Sequence, residues 1–215
     1  MTQYPPDSGK IHRTLELARC ANNQQNPDQA VALIEKIGLD GAQDGLESEW
    51  AESRLILAEA YAAKGNQFAE SLFEESLELL RQLAVPEIAL ELRAHEHLGD
   101  YLRRFARRPS MARREYDIAK ARAVDLKLDE DSARIQLKLE AIELEMDKNP
   151  DLENFGTLKH VAKEYGYTFT EQLAAWLHHK GQSPHYGQSL KFARNKARAG
   201  EQYFKYLLDM VRIKP

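Results

Sequence analysis

Residues 57–65 read LAEAYAAKG, the stretch of this sequence that decides its fold class. Its four alanines favour a helix, and a glycine after such a run is typical of the residue that ends one. Beyond the glycine, Ala69, Phe73 and Ser76 recur at spacings of four and three, which place them on one face of a second helix. The stretch therefore predicts a helix, a tight turn at Gly65 and a second helix.

The composition of the 215 residues agrees with an all-α protein. Hydrophobic residues make up 43% and charged residues 30%, whereas the chain has only 11 glycines and 8 prolines. No run alternates apolar β-branched and polar residues as half-buried strands do. Helical periodicity and turn signals predict ten helices, at residues 8–24, 27–38, 46–64, 66–83, 85–107, 110–126, 129–148, 151–166, 169–180 and 187–211.

The same arrangement of small and large residues recurs along the chain. Ala18, Ala58 and Gly99 are small residues about 40 positions apart, a period typical of helical solenoids. The third copy continues through Ala112, Tyr116 and Ala119. Small residues let two helices approach closely, and large ones fill the space at the next layer, so the recurrence predicts stacked helix pairs.

These series resemble tetratricopeptide repeats (TPRs). In that family the first helix of each pair carries Leu-Ala or Leu-Gly, an aromatic residue and a turn glycine, as Leu57, Ala58, Tyr61 and Gly65 do here. The period resembles the longer-helix variants found in kinesin light chains and in bacterial signal-sensing regulators, although the consensus tryptophan and most closing prolines are missing. An irregular helical bundle is the alternative fold.

The resemblance implies a right-handed α-solenoid of TPR-like helical hairpins with a C-terminal helical cap. It divides the chain into a flexible N-terminus at 1–7, repeats at 8–148 and a C-terminal helical region at 149–215 that continues or caps the stack. A stack with an uncovered end can also form a homodimer.

The resemblance also implies a non-enzymatic adaptor or regulatory module that binds a protein or peptide in its concave groove. In this family the ligand contacts come from exposed positions of the first helices. Carried over to this sequence, those positions are Glu52, Glu59, Arg93, Glu96, Asp100, Arg103 and Arg104. They describe a groove that is acidic near its start and basic further on, which suits a charged partner.

The uneven charge of the chain leaves a second function open. Residues 1–100 carry 8 Lys and Arg against 18 Asp and Glu, a net charge of −10, whereas residues 101–215 carry 22 against 16, a net charge of +6. A nucleic-acid-binding regulator would use the basic surfaces around 103–122 and 191–205. Its candidate residues are Arg107, Arg108, Arg113, Arg114, Lys191, Arg194 and Arg198.

The sequence contains no recognisable catalytic constellation, so we expect no enzymatic activity and no cofactor. Nucleotide-binding loops follow a strand, and no strand is predicted. His178, His179 and His185 lie close in sequence, but adjacent helical residues point about 100° apart, so we expect no metal site. An enzyme with an unrecognised helical active site is the least favoured alternative.

Targeting signals are also missing from the sequence. No run approaches the roughly 20 apolar residues of a bilayer span, and the first residues lack the basic end and apolar run of a signal peptide. Cys20 is the only cysteine, which excludes a disulfide within the chain. We therefore expect a cytoplasmic protein without a membrane partner.

Overall fold

The computed structural model describes residues 8–38 and 45–145. These residues form helices and no strand. The helices are α1 (Ser8–Asn23), α2 (Pro27–Ile37), α3 (Glu47–Ala63), α4 (Phe68–Gln82), α5 (Ile88–Arg104), α6 (Pro109–Asp125) and α7 (Asp129–Glu145). The all-α fold is confirmed for this part of the chain, and each helix begins and ends within three residues of its predicted bounds.

Several predictions lie outside the described residues. They concern the N-terminus at 1–7, the C-terminal region at 149–215 with its three predicted helices and capping role, and the residues Lys191, Arg194 and Arg198. The three clustered histidines lie there as well. No helix of the described residues is long and apolar enough to cross a membrane.

The helix ends follow the turn chemistry of the sequence. Before α2, the backbone N–H of Gln29 donates to Oδ1 of Asn26 at 3.3 Å, and Pro27 takes the first helical position. After α2, Gly38 adopts the left-handed conformation, with φ of 67°. Pro109 opens α6 in the same way as Pro27 opens α2.

The fifth helix is shorter than predicted at both ends. It begins at Ile88 instead of residue 85, because the residue before Pro86 is sterically biased away from helical geometry. The extended backbone at Leu83 already ends the preceding helix. At the other end, Arg107 has φ of 53°, which no residue of a right-handed helix can have.

The chain divides into two compact units, residues 1–106 and 107–215. In the first unit each helix packs against the next, and α3 also contacts both α1 and α5. One core lies among α1, α2 and α3 and contains Ile11, Leu15, Ala18, Ala21, Ala30, Ile34, Leu46, Ile56 and Ala60. Ala18, Ala58 and Gly99, the small residues of the repeat, are all buried.

The pair α3 and α4 shows how the sequence pattern of residues 57–76 is used. Phe73 is fully buried, and the hydroxyl of Ser76 donates to the carbonyl oxygen of Ala51 at 2.9 Å, which ties α4 to α3. Between the helices, Gly65 has φ of 67°, and a Cβ at this position would lie 2.9 Å from the ring of Phe105. The turn therefore requires glycine both for its backbone and for the space that the ring occupies.

In the second unit the described helices α6 and α7 pack against each other. The face of α6 predicted from the repeat pattern is buried at Ala112, Tyr116 and Ala119. The Nζ of Lys138 lies 5.5 Å from the centre of the Tyr116 ring, and the Nζ of Lys120 donates to Oε1 of Gln136 at 2.5 Å. Both contacts connect α6 to α7.

Candidate functional site

Alternate helices of the first unit bring charged side chains together on one face. Helix α3 contacts both α1 and α5, and charged side chains from all three helices meet there. The full set is Arg19 and Asn22 from α1, Glu52 and Glu59 from α3, and Arg93 and His97 from α5, and we call it the charged cluster. The two glutamates are seven residues apart, so they lie on the same face of α3 two turns from each other.

The centre of the charged cluster is a bidentate ion pair between Glu59 and Arg93. The Nε of Arg93 donates to Oε1 of Glu59 at 2.6 Å, and Nη2 donates to Oε2 at 2.5 Å. The side chain of Glu59 is 7% exposed and that of Arg93 is 19% exposed. Because the planar guanidinium matches the carboxylate in this geometry, the pair fixes the position of α5 on α3.

Two further side chains surround Glu59. The Nδ2 of Asn22 donates to Oε2 of Glu59 at 3.4 Å and to the carbonyl oxygen of Ile56 at 2.9 Å, while Nε2 of His97 lies 3.8 Å from Oε1. Burial alone would raise the pKa of Glu59. The charges of Arg93 and His97 and the hydrogen bonds from Arg93 and Asn22 outweigh that effect, and they hold the pKa below its ordinary value of 4.5. Glu59 is therefore ionised at neutral pH.

The side chains of the charged cluster differ in how far they are exposed to solvent. Glu52 pairs with Arg19, whose Nη1 lies 3.5 Å from Oε1, and it lies 3.9 Å from Nη1 of Arg93. The carboxylate side chains of Glu52 and Glu59 are 14% and 7% exposed, whereas Arg19 is 42% and His97 is 44% exposed. The negative groups thus lie at the bottom of the charged cluster, and Arg19 and His97 form its rim.

The charged cluster also holds polar atoms that its own contacts do not satisfy. Among the described residues, Nη1 of Arg93 and Oδ1 of Asn22 are buried and have no hydrogen-bond partner. The 3.9 Å between Nη1 of Arg93 and Glu52 is too long for a hydrogen bond. A buried polar atom left unpaired costs about 1–3 kcal/mol, so these two atoms reduce the stability that the charged cluster provides.

No family model and no curated protein matches the sequence. The function has to be inferred from the side chains themselves.

The structure divides the seven predicted contact residues into two groups. Glu52, Glu59 and Arg93 meet in the charged cluster. The others lie further along α5, where Glu96, Asp100 and Arg103 are buried, and Arg104 is half-buried with its guanidinium 4.7 Å from the centre of the Phe105 ring. Most of these side chains are thus less open than the resemblance implies, because charged partners and packing cover them.

Three members of the charged cluster were not among the predicted residues. They are Arg19, Asn22 and His97. Arg19 follows Ala18 as Glu59 follows Ala58, so the 40-residue period applied to the first helix would have found it. Asn22 lies one turn beyond Arg19. For His97 the sequence offers no signal, because it lies outside the repeat positions that the resemblance uses.

The described residues of the predicted nucleic-acid surface lie at the start of α6. Arg107 and Arg114 are exposed, Arg108 and Arg113 are half-buried, and the Nε of Arg113 lies 3.9 Å from Oδ2 of Asp117. No group of three or more histidine, cysteine, aspartate or glutamate side chains in the described part of the chain could hold a metal ion.

Proposed function

We propose that the helices of this protein are TPR-like hairpins of a right-handed α-solenoid, which the region 149–215 continues or caps. Two observations support this proposal. The first is that α3 contacts both α1 and α5, while α2 and α4 each pack against the helices before and after them, as expected for the first and second helices of stacked pairs. The second is that a residue with positive φ follows α1, α3 and α5 in turn, at Gln25, Gly65 and Arg107.

We further propose that this protein is a non-enzymatic adaptor or regulatory module, and that the face shared by α1, α3 and α5 binds an acidic segment of a partner protein. The observation that carries the proposal is that the glutamate side chains of the charged cluster are less exposed than Arg19 and His97. Glu59 is buried, Glu52 is 14% exposed, and both pair with arginines, so their carboxylates are less accessible to a partner than the side chains of Arg19 and His97. Arg19 and His97 form the rim and face solvent.

An acidic segment would gain from this arrangement without disturbing the buried pair. Its carboxylates would contact Arg19 and His97, which stay about half in water, so each contact is worth roughly 0.2–1 kcal/mol and weakens with salt. Such contacts guide the partner and set its orientation, but they add little affinity. Hydrogen bonds to the backbone of the bound segment would supply the rest of the affinity. The sequence predicted a groove that is acidic near its start, and we propose instead that Arg19 and His97 present the binding contacts there.

The test is a binding titration with three extended peptides of equal length, one rich in glutamate, one rich in lysine and one rich in serine, measured by fluorescence anisotropy. We expect the glutamate-rich peptide to bind best and its affinity to fall as salt is raised. In the double variant Arg19→Gln/His97→Gln that affinity should fall about two- to thirty-fold, the sum of two exposed contacts of roughly 0.2–1 kcal/mol each.

The matched control removes two exposed cations from other helices, Lys36 of α2 and Arg81 of α4. Lys36→Gln/Arg81→Gln should leave the affinity for the glutamate-rich peptide unchanged. Equal binding of all three peptides, or an equal loss in both double variants, would contradict the proposed site.

A further inference from the structure

We propose that Arg107, Arg108 and Arg114, at the start of α6, form a second binding site whose ligand is the phosphate backbone of a double-stranded nucleic acid. These residues, which we call the arginine cluster, lie in the second unit and share no residue with the charged cluster. The proposal therefore stands independently of the peptide-binding face.

The first observation is the local charge. The eight residues from 107 to 114 contain four arginines and no aspartate or glutamate. No acidic residue occupies the first turn of α6, so no side chain of that turn neutralises the positive end of its dipole. A segment of this kind carries a concentrated positive potential, although the chain as a whole has a net charge of −4.

The second observation is that Arg107 and Arg114 form no ion pair with any carboxylate of residues 8–38 and 45–145. Most described arginines pair with a carboxylate, namely Arg19, Arg54, Arg81, Arg93, Arg113, Arg122 and Arg134. Arg107 and Arg114 are exposed, and no carboxylate among the described residues pairs with either of them. Their guanidinium groups are available to an external anion.

The third observation is the backbone of Arg107. Its φ of 53° is a left-handed conformation that glycine adopts more easily than arginine. Gly65 occupies the corresponding turn after α3. The presence of arginine at a position that favours glycine agrees with a use for its side chain.

The lack of an exposed aromatic ring between residues 107 and 145 favours a duplex over a single strand as the ligand of the arginine cluster. Single-stranded nucleic acids are held largely by stacking of bases on exposed aromatic rings. Tyr116 is the only aromatic residue between 107 and 145, and it is fully buried. A duplex backbone can be bound by cations alone, and Arg108 and Arg114 lie about 9 Å apart along the axis of α6, so they can contact different phosphates.

An acidic protein is a less suitable ligand for the arginine cluster. The only apolar side chain exposed among these arginines is Met111, at 40%, so a folded protein with a large interface would find no aromatic or aliphatic anchor there. Guanidinium groups bind carboxylate and phosphate oxygens alike, so the regularly repeated charge of a nucleic-acid backbone is the feature that favours a duplex here.

The test measures binding of the full-length protein to a fluorescently labelled DNA duplex of about 30 base pairs at several salt concentrations. We expect log K to fall with log salt with a slope of about −2 to −3, and we expect two unrelated duplex sequences to bind equally. In Arg107→Glu/Arg114→Glu the affinity should fall at least tenfold and the slope should be reduced by about 2.

The matched control, Arg13→Glu/Arg81→Glu, makes the same change of net charge at two exposed arginines of the first unit and should keep most of the affinity. Circular dichroism checks that each variant is folded, and Arg107→Gln/Arg114→Gln removes the charge alone if the reversal unfolds the chain. Absence of binding at low salt, equal losses in test and control variants, or preference for an acidic peptide over the duplex at these arginines would overturn the proposal. Arg19→Gln/His97→Gln should leave duplex binding intact, so the experiments can contradict either proposal without contradicting the other.

Discussion

Glu59 and Arg93 depend on each other in a way that exposed ion pairs do not. Both side chains are largely removed from water, and each would be costly to bury alone. Their two hydrogen bonds, at 2.6 and 2.5 Å, offset much of that cost. The pair is therefore better evidence for a fixed arrangement of α3 and α5 than for a large contribution to stability.

Replacing only one member of this pair should be much more destabilising than replacing both. We expect Glu59→Leu or Arg93→Met alone to lower the free energy of unfolding by about 3–5 kcal/mol, because the remaining charge is left buried. The double variant Glu59→Leu/Arg93→Met should recover most of that loss, since apolar side chains of similar size can pack there. Urea unfolding at neutral pH measures the free energy of unfolding of the parent chain, the two single variants and the double variant. Additive losses in the double variant would contradict this view.

The same pair gives stability a defined pH dependence. The pKa of Glu59 is lower in the folded chain than its ordinary value of 4.5, so its contribution is fully present above that value. It is lost as the pH falls through the folded pKa, when the carboxylate must take up a proton to remain buried. In Glu59→Gln the decline of stability below pH 4.5 should be shallower than in the parent chain. Glu35→Gln, an exposed position on α2, should follow the parent curve.

The turns between helices carry a second testable property. Gln25 and Gly65 follow α1 and α3 and both have positive φ, 59° and 67°. Gln25→Gly should stabilise the protein by up to about 1 kcal/mol, because glycine adopts this backbone without strain. Gly65→Ala should destabilise it by about 1–3 kcal/mol, because strain adds to a contact of 2.9 Å with Phe105.

Gly38 separates the two causes at Gly65. It also has φ of 67°, but a Cβ there would meet no atom within 4 Å, so Gly38→Ala reports the backbone strain alone. Thermal unfolding of the three variants gives the comparison. If Gly65→Ala and Gly38→Ala cost the same, the ring of Phe105 moves aside and the close approach is unimportant.

Sequence patterns predict the helices of this chain better than the environment of its charged residues. Turn glycines, prolines and helical periodicity are local signals, and they placed all the described helices. The bounds of α5 were less accurate, because the left-handed backbone at Arg107 has no local signature. Glu59 could be assigned to a face by its spacing, but its burial depends on Arg93, which lies 34 residues away. Such pairing is a property of the packed helices.

At the scale of the whole molecule, charge is divided between the two compact units. The acidic residues of the first half are partly neutralised where α1, α3 and α5 meet, which leaves Arg19 and His97 at the rim of the charged cluster. The second unit begins with the arginine cluster. At the charged cluster the exposed cation Arg19 is paired with Glu52, whereas the exposed Arg107 and Arg114 of the arginine cluster pair with no carboxylate among the described residues. We therefore expect the second site to attract the more highly charged ligand.

Reversing the charge at the rim tests the central claim most directly. Arg19→Glu should turn the preference of the face from the glutamate-rich to the lysine-rich peptide, and Arg81→Glu, the same change on α4, should not. The measured quantity is the ratio of the two dissociation constants in each variant and in the parent chain. The account predicts that only Arg19→Glu changes this ratio at least tenfold and reverses which of the two peptides binds more tightly. A ratio that stays the same in that variant would contradict it.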